Sequence, residues 1–494
     1  MFNFRHFLIS SLTLIISIPT WSKTVPYLKS LSKDSVEIRW ESTTKTYQLN
    51  LSSSEGFFGK FEPEIIYERK RFLKNSIKFF SVKVNNLEAG RTYFYELKTS
   101  SETLGVYRFK TITSDQNRFS FILMADAQKG SELTEEIVKK SIMPKAFLNT
   151  DQRSLSPINF ILFAGDLVHR GFLHSHWESQ FFSPLQSILS RTPVIPSIGN
   201  HEYNSQLFWK YFYRNSQDNK FHFFDKLTSR FITLSTNRKS RKVDQLDWLK
   251  LTLSDAKEKD IKFIFIQYHH PAFSEIWPKG EKKYSKKIES ILRNFSKNFD
   301  GHLIIMNGHT HAYSRGHDPD QKLTHIISGP LGGKIDYWNK KSRDYKMFQV
   351  NSSTPGWSIF DIKPNRITHR YYGYNPKNKE TTLLDEYSLS SDSDLPMAPN
   401  IISTTVTSQN LVIKLEKKEY VSLEVLVNSG EITKRFYLYG RNDVNGQTRH
   451  NDLSSLELKL PHKLTSKSIT IKIRGRNKNL DWSQYSETYD IGNQ

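Results

Sequence analysis

Residues 303–311 read Leu-Ile-Ile-Met-Asn-Gly-His-Thr-His, an apolar run that leads directly into two imidazoles. A run of this length and composition predicts a short buried strand. In an extended segment, side chains two residues apart point to the same side, so His309 and His311 could each face one metal ion. The stretch therefore predicts a strand that delivers metal ligands.

Three further apolar runs end in the same way. Metal-capable side chains follow each run: Asp126-Ala127-Gln128 after Phe119–Met124, Gly165-Asp166 after Ile158–Ala164, and His269-His270 after Phe263–Ile266. Stretches with helical spacing separate them, at 132–147, 177–189, 243–256 and 286–298. Strands that alternate with helices predict a layered α/β domain, in which ligands bind at the carboxyl ends of the strands.

The residue types at these strand ends suit the hydrolysis of phosphoesters. Two metal ions about 3.5–4 Å apart can generate hydroxide from water and neutralise the phosphoryl oxygens. We expect Asp166 to bridge the two ions. The remaining ligands would be Asp126, His311 and the neutral oxygen of Gln128 for the first ion, and Asn200, His269 and His309 for the second. This mixed nitrogen and oxygen set suits Fe, Mn or Zn.

Five motifs taken together resemble the calcineurin-like metallophosphoesterase superfamily. They are Asp126-x-Gln128, Gly165-Asp166, Gly199-Asn200-His201-Glu202, His269-His270-Pro271 and Gly308-His309-Thr310-His311. Within the superfamily, residues 30–375 most resemble purple acid phosphatase-like proteins, which have an N-terminal fibronectin-like domain. The resemblance implies an α/β fold with four layers in the order α/β/β/α, and hydrolysis by a hydroxide bound to the metals.

Two positions depart from the pattern of that family. His169 stands where true purple enzymes have the tyrosine that gives an iron(III)–phenolate colour, so we expect no purple colour. Gln128 stands where many superfamily members have a histidine ligand. Either Gln128 or His169 could complete the first metal site, and we favour a role for His169 in orienting a neighbour.

His201 is the candidate for proton transfer, because it follows the ligand Asn200 and should stand beside the phosphate rather than on a metal. An imidazole that titrates near neutrality can protonate the leaving oxygen. The alternative is a structural histidine bonded to a backbone carbonyl, and for His270 that alternative is equally favoured. The candidates for substrate binding are Tyr203, Tyr313 and Arg315, each of which could instead be a packing residue.

The regions on either side of the α/β domain show a different pattern. Period-two alternation within residues 23–113 and 401–494 predicts an all-β sandwich on each side, the first of them fibronectin type III-like. The α/β domain would span 117–387, followed by a linker at 388–400. Residues 1–22 resemble a cleaved signal peptide, with Arg5 before a short apolar run.

Composition narrows the functional classes. The chain has no cysteine, which excludes thiolate chemistry. Its net charge of +21 either favours anionic partners or is spread over a solvated surface. We expect a bacterial phosphomonoesterase of acid phosphatase type that is secreted or periplasmic. It would act on small phosphorylated substrates and could contact an anionic envelope surface. A phosphodiesterase or nucleotide pyrophosphatase, and a non-catalytic adhesion protein with structural metals, are the alternatives. No specific nucleic-acid module is recognisable, and the oligomeric state is open.

Overall fold

The computed structural model describes residues 25–491 apart from 43–45, 72–73, 101–102, 115–116, 149–156, 214–220, 238–242, 319, 340, 344, 346, 393–394, 408–409, 417–419, 440, 445–446, 451–452 and 462–467. The predicted signal peptide lies outside the described residues. Within the described part of the chain, no helix is long and apolar enough to cross a membrane.

The N-terminal region is a β-sandwich. Its strands are Tyr27–Leu31 (β1), Val36–Ser42 (β2), Gln48–Ser53 (β3), Gly56–Phe61 (β4), Glu64–Arg71 (β5), Lys74–Val84 (β6), Thr92–Lys98 (β7) and Thr103–Lys110 (β8). They form the sheets β1-β2-β6-β5 and β4-β3-β7-β8. Trp40 and Tyr95, one from each sheet, lie in the shared core. Alternate residues of each strand face that core, as the period of two requires.

The central region is built on two sheets. Its strands are Phe119–Met124 (β9), Ile158–Phe163 (β10), Val194–Pro196 (β11), His222–Lys226 (β12), Ser229–Thr233 (β13), Phe263–Gln267 (β14), His302–Asn307 (β15), Tyr313–His317 (β16), Leu323–Ser328 (β17), Phe348–Ser352 (β18), Gly356–Lys363 (β19), Arg366–Asn375 (β20) and Glu380–Ser390 (β21). The first sheet has the order β11-β10-β9-β19-β20-β21, and the second contains β12-β13-β14-β15-β17-β16-β18.

Helices cover the outer faces of both sheets. They are Ser131–Ile137 (α1), which continues as a π-helix over Val138–Phe147, His174–His176 (α2), a π-helix over Trp177–Phe182, Ser183–Leu189 (α3), Gln206–Phe212 (α4), Val243–Glu258 (α5) and Lys283–Ser296 (α6). A 3₁₀ turn covers Pro278–Gly280. The elements from α1 to α4 pack on the first sheet, and α5 and α6 pack on the second. The layers therefore follow the expected order α/β/β/α.

The central strands are apolar on both faces because both faces are covered. In β9, Phe121 and Leu123 point into the core between the sheets, whereas Ile122 and Met124 point towards the helices. Strands buried on both faces read as continuous apolar runs rather than as alternating ones. This explains why the short runs in the sequence correspond so closely to strands.

The C-terminal region is a second β-sandwich. Its strands are Ile401–Val406 (β22), Asn410–Leu415 (β23), Ser422–Ser429 (β24), Ile432–Tyr439 (β25), Arg441–Val444 (β26), Gln447–His450 (β27), Ser455–Lys459 (β28), Ile469–Arg476 (β29) and Tyr489–Ile491 (β30). The sandwich consists of the sheets β22-β23-β28 and β25-β24-β29-β30. The hairpin β26–β27 instead extends the second central sheet, where Asp443 of β26 pairs with Val350 of β18.

The C-terminal sandwich also contacts the central domain through its own turns. Leu480 is buried in the core between the two central sheets. The Arg476 guanidinium donates to the backbone oxygens of Asp318 and, at 2.6 Å, Gln321. The first central sheet continues to Ser390, three residues into the predicted linker, because β21 pairs with β20 as far as Arg366. The linker prediction of 388–400 therefore began too early.

Candidate metal centre

The metal-capable side chains meet at the carboxyl ends of parallel strands. Strands β9, β10 and β11 run parallel in the first central sheet, and β13, β14 and β15 run parallel in the second. The ligand candidates that follow these strands are Asp126, Gln128, Asp166, Asn200, His269, His309 and His311, which we call the metal cluster. The two sheets thus bring residues separated by up to 185 positions to one edge of the domain.

The backbone turns sharply at the strand ends. Asp126, Gln128, Asp166 and His309 all have positive φ angles, of 57°, 43°, 54° and 69°. Side-chain-bearing residues rarely adopt this left-handed conformation, and clusters of it are typical of functional sites. The turns let each side chain point back across the end of its strand.

Glycines allow the loops to approach the carboxylates. A Cβ atom on Gly199 would lie 2.2 Å from Oδ1 of Asp166, and one on Gly308 would lie 2.7 Å from Oδ2 of Asp126. Any larger residue at either position would displace a ligand carboxylate. The glycines of the Gly199-Asn200 and Gly308-His309 motifs are therefore explained by close packing.

One half of the metal cluster surrounds His269. Its Nε2 lies 3.1 Å from Oδ2 of Asp166, 3.1 Å from Oδ1 of Asn200 and 3.2 Å from Nδ1 of His309. The Nδ1 atom of His269 is 2.8 Å from the carbonyl oxygen of Ala164, to which it donates. That bond fixes the ring so that Nε2 faces the metal cluster.

The other half surrounds His311. Its Nε2 lies 3.7 Å from Oδ1 of Asp126 and 3.1 Å from Nε2 of Gln128, whose amide also donates to Oδ2 of Asp166 at 3.0 Å. The Nδ1 atom of His311 donates to the carbonyl oxygen of Lys334 at 2.5 Å. Gln128 thus lies beside both His311 and Asp166, within reach of the first predicted metal site.

Burial and mutual attraction set the charges of the metal cluster. Desolvation raises the pKa of Asp126 to about 7, against the attraction of His311 and His269. Burial also acts to raise the pKa of Asp166, but attraction to His269 outweighs it and holds that pKa well below its ordinary value. At His269, burial acts to lower the pKa, and the charge of Asp166 reverses the effect and raises it to about 9. The Asp166 carboxylate therefore stays ionised and attracts positive charge.

The donor set fits metal ions. Nε2 of His309 is buried and has no hydrogen-bond partner among the described residues, and Nδ1 of the same ring faces Nε2 of His269. Candidate ligand atoms of Asp126, Asp166 and His269 lie within 4.8 Å of one another. Carboxylates, amide oxygens and neutral imidazoles are ligands for Fe, Mn and Zn. The residues of the metal cluster could accordingly hold such ions.

His201 stands at the edge of the metal cluster. Its backbone N–H donates to Oδ1 of Asp166 at 2.8 Å, and Nδ1 of its ring donates to the carbonyl oxygen of His169 at 2.8 Å. Nε2 then points inward, 4.0 Å from Oδ2 of Asp166, while a quarter of the side chain is exposed. This ring can reach both solvent and any group bound at the cluster.

A family model of calcineurin-like phosphoesterases matches residues 119–313, the range that contains the whole metal cluster. The chain contains a calcineurin-like phosphoesterase domain. Metal-dependent hydrolysis of phosphoesters is the chemistry of this class of domain. The narrower prediction of a purple acid phosphatase-like protein is not tested by this match and stays a prediction.

The chain is similar to several solved structures, one of them across most of its length. A structure of PhoD superposes with a TM-score of 0.54 at 10% identity, covering 74% of this chain and 90% of PhoD. A proposed 5'-nucleotidase from Staphylococcus aureus gives 0.31 at 13% identity, covering 76% and 89%, and vacuolar protein sorting 29 from Cryptosporidium parvum gives 0.28 at 11% identity, covering 56% and 100%. The comparison with curated proteins gave no match to this chain. The likeness to PhoD supports the layered fold.

Glu202 of the phosphoesterase domain was missed by sequence reasoning. Its buried carboxylate accepts hydrogen bonds from the backbone N–H groups of Asp166, Leu167 and Gly199, at 3.0, 2.8 and 2.6 Å. Burial raises its pKa to about 8. Glu202 thus ties the Gly165-Asp166 loop to the Gly199-Asn200 loop. An acidic residue directly after His201 was the signal that could have revealed it.

Two predicted substrate-binding residues of the phosphoesterase domain need correction. Tyr313 and Arg315 are buried, and both side chains bind Asp385, at 2.5 Å from the Tyr313 hydroxyl and 2.6 Å from Nε of Arg315. They point into the interior because both lie on the face of β16 that packs into the core between the two central sheets, to which Tyr313 belongs. Neither can contact a substrate, so their role is structural.

Three further predicted residues of the phosphoesterase domain lie around the metal cluster. Tyr203 is 53% exposed and its ring centroid is 6.4 Å from that of His201, and its role in substrate binding stays a prediction. The His169 ring is 4.9 Å from that of His201. His270 is buried, with Nδ1 2.8 Å from Oγ1 of Thr236. His169 therefore lies beside the proton-transfer candidate and orients it through its carbonyl group.

Proposed function

We propose that the protein is an exported phosphomonoesterase that hydrolyses small phosphorylated substrates with His201 as the general acid. The observation that supports this most is the position of His201, whose Nε2 points at the metal cluster while its side chain stays accessible to solvent. A residue placed in this way can meet the leaving oxygen of a phosphoester bound at the cluster. Export rests on the sequence of residues 1–22 alone.

The protein's own residues suggest how the reaction is assisted. Metal ions, when bound to the metal cluster, would supply an activated water and neutralise charge on the phosphoryl group. Nδ1 of His201 is committed to the carbonyl oxygen of His169, so in the imidazolium form the free proton is the one on Nε2. That proton is available to the leaving alkoxide, which is otherwise a poor leaving group.

The surroundings of the site favour anions. The whole chain carries a charge of +21, and the side chains of Lys129 and Arg170, close in the chain to Gln128 and Asp166, are exposed. Such a field concentrates phosphorylated substrates near the domain and would also attract an anionic envelope surface. The metal ions we propose are Fe, Mn or Zn, two per chain.

The test is hydrolysis by residues 23–494 supplied with Mn, Fe or Zn. We expect turnover of p-nitrophenyl phosphate to depend on metal and to exceed that of bis(p-nitrophenyl) phosphate. His201→Ala should lower kcat about 100-fold or more while the bound metal, measured by elemental analysis, stays unchanged. Preference for the bis-ester would favour a phosphodiesterase, and full activity of His201→Ala would exclude the proposed acid. Bound metal without turnover of either ester would favour a non-catalytic protein.

A further inference from the structure

Four basic residues lie close to the metal cluster in the chain or in space. They are Lys129, His169, Arg170 and His176, which we call the basic rim. Lys129 directly follows Gln128, and His169 and Arg170 follow the Asp166 loop. The His169 ring lies 4.9 Å from that of His201 and 6.1 Å from that of His176. The basic rim therefore extends outward from the proposed acid.

Lys129 and Arg170 supply the positive charge of the basic rim, whereas the lowered pKa values of His169 and His176 favour neutral rings there. After burial, the largest effects that lower the pKa of His169 come from Lys129, His201 and Arg170. Burial, Arg170 and Lys129 likewise lower the pKa of His176. Among the described residues, neither Lys129 nor Arg170 forms an ion pair with a carboxylate. Nδ1 of His169 is buried and has no hydrogen-bond partner there.

The loop that carries the basic rim is held in place. The backbone N–H of Arg170 donates to Nδ1 of His176 at 3.1 Å, and that of Gly171 donates to the carbonyl oxygen of His201 at 2.8 Å. Nε2 of His174 lies 2.7 Å from Oε2 of Glu41 in the N-terminal sandwich. The loop therefore holds the backbone of Arg170 in place beside the metal cluster, and its exposed guanidinium has no carboxylate partner among the described residues and is available to an anion.

We propose that the basic rim binds a second phosphate of the substrate, so that the preferred substrates are esters whose leaving group carries another phosphate. This inference rests on the proposed function. In the reaction, the ester P–O bond next to the metal cluster breaks, water supplies the hydroxyl group that joins phosphorus, and a proton completes the leaving alcohol. The second phosphate stays on that alcohol, held by Arg170 and its neighbours.

The test compares two substrates with the same carbon skeleton, fructose 1,6-bisphosphate and fructose 6-phosphate, by the initial rate of phosphate release from the metal-loaded protein. We expect kcat/KM to favour the bisphosphate by about tenfold or more, and increasing salt to reduce the ratio. Arg170→Ala should bring the ratio to about 2, whereas Arg170→Lys should keep part of the preference because it keeps the charge.

Arg366→Ala is the matched control. Arg366 is exposed at the start of β20, and the pairing of Ile362 with Phe119 places this end of the sheet away from the metal cluster. The ratio should be unchanged in this variant. Equal hydrolysis of the two substrates by the wild type, or an equal loss for both in Arg170→Ala, overturns the inference alone. No turnover of any phosphoester by the metal-loaded protein overturns the proposed function together with the inference.

Discussion

His311 and Tyr313 are two residues apart, yet they belong to buried polar clusters of opposite character. His311 faces the metal cluster, in which imidazoles and carboxylates crowd together and Nε2 of His309 has no partner among the described residues. Tyr313 belongs to what we call the Arg315 cluster, formed by Tyr313, Arg315, His317 and Asp385. There the guanidinium binds both oxygens of Asp385, at 2.6 and 2.9 Å, and contacts Nε2 of His317 at 2.9 Å.

The two clusters differ in how their buried polar groups are paired. Buried polar groups are normally satisfied by one another, and the Arg315 cluster follows this rule. The metal cluster departs from it, because Nε2 of His309 is buried without a partner among the described residues and several potential metal ligands face one another. Burial alone therefore does not distinguish a functional cluster from a structural one. The pattern of hydrogen-bond and ion-pair partners does. Substitutions in the metal cluster should consequently reduce activity, whereas substitutions in the Arg315 cluster should reduce stability.

The largest effect is expected in the metal cluster. Asp166→Asn removes the negative charge that attracts His269, and it also removes the carboxylate predicted to bridge the two metal ions. We therefore expect kcat/KM to fall about 1,000-fold or more. Metal ions should raise the melting temperature of the wild type, because they bind only the folded state, and should have little effect on the variant. A variant that kept both the activity and the metal-dependent shift would show that Asp166 is not a ligand.

A smaller effect, on stability alone, is expected in the Arg315 cluster. Asp385→Asn leaves the buried Arg315 charge without its counter-ion, which should reduce the free energy of unfolding by about 3–5 kcal/mol. Urea denaturation measures this loss. Because the cluster does not contact the substrate, kcat/KM per folded molecule should stay within about threefold of the wild type. Loss of activity at unchanged stability would restore the prediction that Arg315 binds substrate.

The smallest effect is a pH dependence. Burial acts to raise the pKa of Asp385, but attraction to Arg315 outweighs it and holds the pKa below its ordinary value of 3.8. The contribution of Asp385 to stability is therefore complete above about pH 4 and is lost as the pH falls through the folded-state pKa. The difference in unfolding free energy between wild type and Asp385→Asn should shrink on acidification. A constant difference would mean that Asp385 is not ionised in the folded protein.

Much of the central fold could be predicted from local patterns. The runs that became β9, β10, β14 and β15 are apolar because both of their faces are buried, and such runs are visible without any knowledge of partners. The ligand candidates were found because each follows a strand and has a side chain that binds metal. The helical spacing of 243–256 and 286–298 corresponds to α5 and α6, which begin and end within three residues of those limits.

The missed features all depend on partners that are distant in the chain. Asp385 lies 70 residues from Arg315, so the sequence around Arg315 could not show that its guanidinium is already bound. Glu202 acts on the Asp166 loop from 36 positions away. The hairpin β26–β27 and Leu480 come from the C-terminal region and join the central sheet and core. No local pattern identifies an edge that a later segment will cover.

The sequence by itself determined the chemical class, because metal ligation needs particular side chains and these follow the strands in a fixed order. It also determined the alternation of strands and helices, since periodicity follows from which faces are buried. Only the tertiary structure decided which polar side chains face the metal cluster and which face one another. That choice depends on sheet pairing and on distances of a few ångströms between residues far apart in the chain, which short-range sequence patterns do not encode.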